Sequence, residues 1–179
     1  METITEITAA ILNAFEKRNP KKLRKINDES LRKVVITFTP ALSELAVLSY
    51  VLSKIISKTR FLEKSNETKL AVVRQALADL ACAKDESEII RKCELVLDAI
   101  KSMDEQDQRF IIDLASKGRL KVGATAYAQG VSLGTASEMT GIDKQEIMDY
   151  AGKTMMFDRV KEEKSIQERL SAARRLIKK

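Results

Sequence analysis

The chain of 179 residues sets 32 Lys+Arg against 26 Asp+Glu, a net charge of +6, with 44% hydrophobic and 32% charged residues; this excludes an intrinsically disordered polymer and fits one domain, or one domain with an appendage. Histidine and tryptophan are absent, so mechanisms that need an imidazole as base, proton shuttle or metal ligand are excluded, and most hydrolytic chemistry with them. Cys82 and Cys93 stand eleven apart, a spacing of no metal or redox motif, and both read as core packing in a reducing compartment.

In chain order, the first predicted helix covers about 4 to 18, where Ile4, Ile7, Ile11, Ala14 and Phe15 recur at helical spacing. Thr3 with Glu6 has the capping-box pattern that opens it. A basic run follows, Lys17, Arg18, Lys21, Lys22, Arg24 and Lys25, with no acid among them. Val34 to Thr39 is β-branched and precedes Pro40, so an extended segment is expected there. Pro40 then opens a helix from Ala41 to Lys64 that is apolar almost all round (Leu42, Leu45, Val47, Leu48, Val51, Leu52, Ile55, Ile56), the pattern of a central buried helix that would also dimerise. Further helices are predicted at about 67 to 84, at 86 to 102 behind the capping pair Asp85 and Glu88, and from Glu105 to Lys117, closed by Gly118. A lone extended stretch makes no sheet, so the fold class is all-α.

All six glycines lie at or beyond 118, and both prolines lie in the first forty residues. Because glycine supplies turns and close approaches, long helices are expected before that point and short ones after it. The expected organisation is a helical bundle over 1–118 that serves as a dimerisation domain, a three-helix unit over 119–152, and a linker with a basic amphipathic helix over 153–179.

The segment from Lys121 to Gly152 reads KVGATAYAQGVSLGTASEMTGIDKQEIMDYAG. Ser137 is small, Gly141 follows four residues later, and Ile147 six after that. Two short helices crossing steeply need a small side chain at the contact and a residue tolerant of positive φ at the turn. Ala136, Ile142, Ile147 and Tyr150 form the predicted inner face, with Thr140 polar where an apolar residue is usual. Asp143 with Glu146 is a third capping-box pattern. The predicted helices are Leu120 to Gln129, Leu133 to Thr140 and Lys144 to Ala151.

This arrangement resembles the helix-turn-helix of DNA-binding proteins. More narrowly, SLGTASEMTGIDKQEIMDYAG, together with ERLSAARRLI at Glu168 to Ile177, is similar to a group of small archaeal and bacterial helix-turn-helix proteins, some of them antitoxin-like. The resemblance covers Val131 to Ile177. It implies sequence-specific binding of double-stranded DNA and transcriptional regulation; separately, nothing in the sequence brings a nucleophile beside an activated base, so no enzyme activity, cofactor or metal is expected. It further implies that Asp143, Lys144, Gln145, Met148 and Asp149 meet base edges, with Gln145 suited to adenine and Lys144 to guanine or phosphate. Ser132 and Thr135 would bond phosphates at a helix start, and Lys153 would add a phosphate contact. Reading two half-sites calls for a homodimer.

Charge does not follow the motif. From Arg119 to Gly152 three cations stand against four acids, whereas Lys153 to Lys179 holds nine cations and four acids. Phosphate contact is therefore expected from the flanks. In the last helix Ile166, Leu170, Ala173 and Ile177 form a stripe behind Ser165 and Glu168. That stripe packs on its own domain or binds a second copy or a partner protein, which keeps open the alternative of a helical interaction module, antitoxin-like or adaptor-like. Gly152-Lys153-Thr154 lacks the first glycine of a phosphate loop, Ile147 standing in its place. The longest uncharged run, Val122 to Ser137, is sixteen residues, short of the roughly twenty that span a bilayer. The start Met1-Glu2-Thr3-Ile4 is no secretory signal, so a cytoplasmic protein without membrane contact is expected.

Overall fold

Ile7, Ile11, Ala14 and Phe15 fall on one buried stripe, and the spacing that put them there makes the first helix, α1 (Ile4–Glu16). In this computed structural model, which describes residues 4–37, 39–103 and 108–159, the chain is all-α, with no strand among the described residues. After α1 come α2 (Pro20–Thr37), α3 (Pro40–Ile55), two short 3-10 turns (Thr59–Leu62 and Lys64–Asn66), α4 (Glu67–Ala81), α5 (Glu86–Lys101), α6 (Gln108–Ala128), α7 (Leu133–Thr140), α8 (Lys144–Lys153) and the single-turn α9 (Met156–Arg159). None of these helices is long and apolar enough to cross a membrane.

The centre of the molecule is α3. Twelve of its residues are buried, because α1, α2, α5 and α6 all pack against it. Two of its three buried serines turn their hydroxyls back on the helix, Ser49 Oγ donating to the Leu45 carbonyl at 2.8 Å and Ser53 Oγ to that of Tyr50 at 2.7 Å, so neither of these is orphaned. Thr39 makes no side-chain cap. Glu86 at the start of α5 accepts from the Ala41 N–H at 3.2 Å instead. The apolar surface expected to dimerise is thus spent on the chain's own helices, leaving Pro40 and Lys54 exposed and Glu44 and Tyr50 half-buried. The helix also ends at Ile55, not near Lys64, and the 3-10 turns take over.

Three further expectations are corrected. Val34 to Thr37 is not extended: it finishes α2, with Val34 fully buried, and Thr39 has the β-region dihedrals that Pro40 demands (φ −87°, ψ 116°). Cys93 is buried but Cys82 is exposed, because Cys82 is the residue that ends α4 at the turn toward α5. Burial pushes the Cys93 thiol far above its usual range.

Gly118 closes no helix. The predicted helices on either side of it are one, α6, and Gly118 lies in its middle with the position of a Cβ 3.2 Å from Val47 Cγ1 and 3.3 Å from Tyr50 Cδ1. Its role is close approach of α6 to α3. One face of α6 (Ile111, Leu114, Ala115, Val122) joins the main core. Leu120 and Ala124 join a second cluster with Ala136, Ile147, Ala151 and Met156. The proposed division at 118 therefore falls inside a helix that serves both clusters.

Candidate nucleic-acid interface

The second cluster exists to hold α7 and α8 against the last turns of α6. α7 begins where Ser132, in extended backbone (φ −61°, ψ 146°), accepts the Thr135 N–H on its Oγ at 3.1 Å. It ends at Gly141, whose φ of 68° is the left-handed turn conformation that glycine adopts without cost. Gly141 N–H donates to the Ser137 carbonyl at 2.8 Å, and Ser137 Oγ donates across the turn to the Ile142 carbonyl at 2.7 Å. Ser137 is thus small and also a strut. Thr140, the polar departure, is buried and satisfied: its Oγ1 donates to the Ala136 carbonyl at 2.8 Å and accepts from the Ile142 N–H at 3.4 Å.

Asp143 then opens α8, its Oδ1 accepting the Gln145 N–H at 2.7 Å. The bond goes to the second residue of the helix, one earlier than a capping box would place it. Ile147 and Ala151 are fully buried against α6, while Ile142 and Tyr150 are half-buried on the same cluster; each fully buried isoleucine side chain contributes about 1.5–3 kcal/mol. The predicted inner face is therefore the observed one.

The other side of α8 is open. Asp143, Lys144, Gln145, Met148, Asp149 and Lys153 are all exposed, along a helix of ten residues. Gln145 Nε2 donates to Asp149 Oδ1 at 2.8 Å, a pairing one turn along the helix that the i, i+4 spacing signals in the sequence. Ser132 is exposed and Thr135 half-buried at the start of α7, and their hydroxyls share a hydrogen bond of 2.8 Å. Lys153 sits in the last turn of α8, where the helix dipole favours a cation.

Met156 anchors α9 in the second cluster, with Thr125 Oγ1 3.9 Å from its sulfur. Of its neighbours, Met155 is exposed with φ 49°, and Phe157 lies edge-on to Tyr127 at 5.4 Å. The linker from residue 160, the terminal helix with Ser165, Ile166, Glu168, Leu170, Ala173 and Ile177, and Thr3 of the first capping pair lie outside the described residues.

Two of the three cations of 119–152 face inward. Arg119 is paired with Glu44 of α3 at 3.2 Å, both partly covered. Lys121 Nζ donates to Asn27 Oδ1 at 2.8 Å, with Asp28 at 3.4 Å. Lys144 is left among the exposed acids Glu138, Asp143, Glu146 and Asp149. The basic run at the start of α2 is not near this face: Arg24 Nη2 meets Ser57 Oγ at 3.4 Å, beyond the end of α3, whereas α6 leaves the bundle past Glu44, at its beginning. No known protein family matches the chain, and no curated protein and no solved structure is significantly similar to it.

Proposed function

We propose that this chain is a cytoplasmic, sequence-specific DNA-binding protein, a transcriptional regulator in which α7, the Gly141 turn and α8 form a helix-turn-helix and α8 enters the major groove. One observation carries the reading: α8 buries Ile147 and Ala151 and leaves Lys144, Gln145, Met148 and Asp149 exposed on the opposite side. With one amide hydrogen held by Asp149, Gln145 keeps a carbonyl oxygen and a second amide hydrogen, the acceptor and donor that adenine requires in the major groove. Lys144 and Lys153 supply charge for phosphate, and Ser132 and Thr135 supply hydroxyls at a helix start. A homodimer reading two half-sites completes the proposal, and the coverage of α3 means that other surface joins the copies. Selection from a randomised duplex library, followed by titration of the full chain at two salt concentrations, tests it. An enriched motif bound more weakly as salt rises supports it; no enrichment and no duplex binding at low salt overturns it.

A second reading is a helical interaction module, antitoxin-like or adaptor-like, whose partner is a protein. The charge of the exposed surface favours it: one lysine against four acids on α7 and the first turns of α8 repels phosphate and suits a basic partner. This reading expects no duplex affinity at low salt and loss of the partner on truncation at Lys164.

A further inference from the structure

Residues 17–25 and 54–60 hold nine of the chain's 32 cations and none of its acids, so the remainder nets −3 against a total of +6. The fold brings these two segments to one place. α2 and α3 are joined by a short link and pack side by side, and the contact of Arg24 Nη2 with Ser57 Oγ sets the start of α2 beside the end of α3.

Apart from Lys25, paired with Glu29 one turn on at 3.6 Å, the fold gives the lysines that open α2 no local electrostatic reason. The first turn of α2 has no acid, and a helix dipole disfavours cations at its N-terminal end; the turn is already capped by Asn19 Oδ1, which accepts the Lys22 N–H at 3.0 Å. Lys21, Lys22 and Lys54 are exposed and make no ion pair among the described residues. Lys58 is held with its ammonium 3.8 Å from the Phe110 ring centroid, which positions the charge without cancelling it.

We infer that this end of the bundle is a nucleic-acid contact of its own, gripping the sugar-phosphate backbone of a duplex without regard to sequence. Backbone rather than bases is the target, because the aromatic rings here are not open for stacking: Phe61 and Phe110 pack on each other at 6.2 Å and carry Arg60 and Lys58 on their faces. The contact is distinct from α8. From Glu44, where Arg119 ties α6 to α3, to Ile55 is roughly 16 Å of helix, so the basic end and the exposed side of α8 engage separate stretches of backbone. The inference stands on charge and placement, independent of base reading by α8.

The test titrates the full chain with a labelled random-sequence DNA duplex across a salt series. Reversal of three cations, Lys21→Glu with Lys22→Glu and Lys54→Glu, is expected to weaken binding at least tenfold at low salt and to flatten the log–log salt dependence by about three, near 0.9 for each lost phosphate contact. The neutral Lys→Gln triple, gentler on folding, is expected to move both quantities in the same direction. A control reversal of Lys84, Arg91 and Lys117, exposed elsewhere, is expected to change neither by as much. Unchanged affinity and slope in the first two variants, or an equal loss in the control, overturns the inference. An RNA duplex of the same sequence distinguishes the two sources of backbone. Failure of α8 as a reading helix shows separately, as absence of sequence preference with the random-duplex slope intact.

Discussion

Gly123 and Ile147 approach so closely that even a Cβ on the first crowds the second: it would lie 3.0 Å from Ile147 Cδ1 and 3.2 Å from Thr140 Oγ1. The missing side chain is what lets α8 seat Ile147 on α6 and turn its other side outward. Gly123→Ala trades a helix-propensity gain of about 1 kcal/mol against a shift of the Ile147 tip, and is expected to be near neutral. Gly123→Val adds bulk that cannot be absorbed and is expected to cost about 1–3 kcal/mol. Urea unfolding of the full chain gives the two values, and amide exchange in α8 should accelerate only in the valine variant.

Asn27 is a buried amide joining three helices, its Nδ2 donating to the Ala46 carbonyl at 2.8 Å and its Oδ1 accepting from Lys121 Nζ. Asn27→Ala leaves the half-buried Lys121 without that acceptor, and a loss of about 1–3 kcal/mol is expected. The observable is the denaturation midpoint at constant m-value. A variant as stable as the parent would mean that the bridge contributes nothing.

The start of α5 predicts an acid-sensitive helix end. The Ser87 hydroxyl, then the Glu88 N–H, holds the Asp85 carboxyl below its ordinary range. Lys92, then the Lys84 N–H, does the same for Glu88. A folded-state pKa below the unfolded value means stability fully present above about pH 4 and lost as pH falls through the folded values. Asp85→Asn is expected to flatten the acid limb of stability against pH and leave the neutral region with a weaker cap. An unaltered acid limb in that variant would contradict the assignment.

On the α8 reading, Gln145→Ala is expected to relax preference at one base position by about 1–3 kcal/mol, while Lys153→Ala weakens all sites alike. Asp149→Ala should do two opposite things: strengthen binding to every duplex by removing an acid near phosphate, and blur the Gln145 position by releasing its amide. Binding measured on an array of single-base variants of the selected site separates these effects. Asp149→Ala with unchanged preference would remove Asp149 as a positioning residue.

Some of this was legible before any coordinates. Helical periodicity located α1 and α5 to within two residues, and α7 coincides with its expected Leu133 to Thr140. Asp85 and Asp143 cap the helices they precede, and Gly141 takes the left-handed turn. These are local facts: a side-chain oxygen two or three residues from a free N–H, or a residue without a Cβ at a turn, acts whatever the rest of the chain does. The end of α3, the helical Val34 to Thr37 and the exposed Cys82 were not legible, because propensity yields to packing at helix ends.

Residue order alone determined the all-α class, the inner face of α7 and α8, and the surplus of positive charge, since period, cap and count are properties of a linear string. Only the tertiary structure decided what Gly118 and Gly123 are for, because a glycine that admits a neighbouring helix looks in sequence like one that ends its own. It also decided where the charge lies, turning Arg119 and Lys121 toward the bundle and setting the basic start of α2 beside the end of α3. Electrostatics depends on distance through space, and distance is what folding sets.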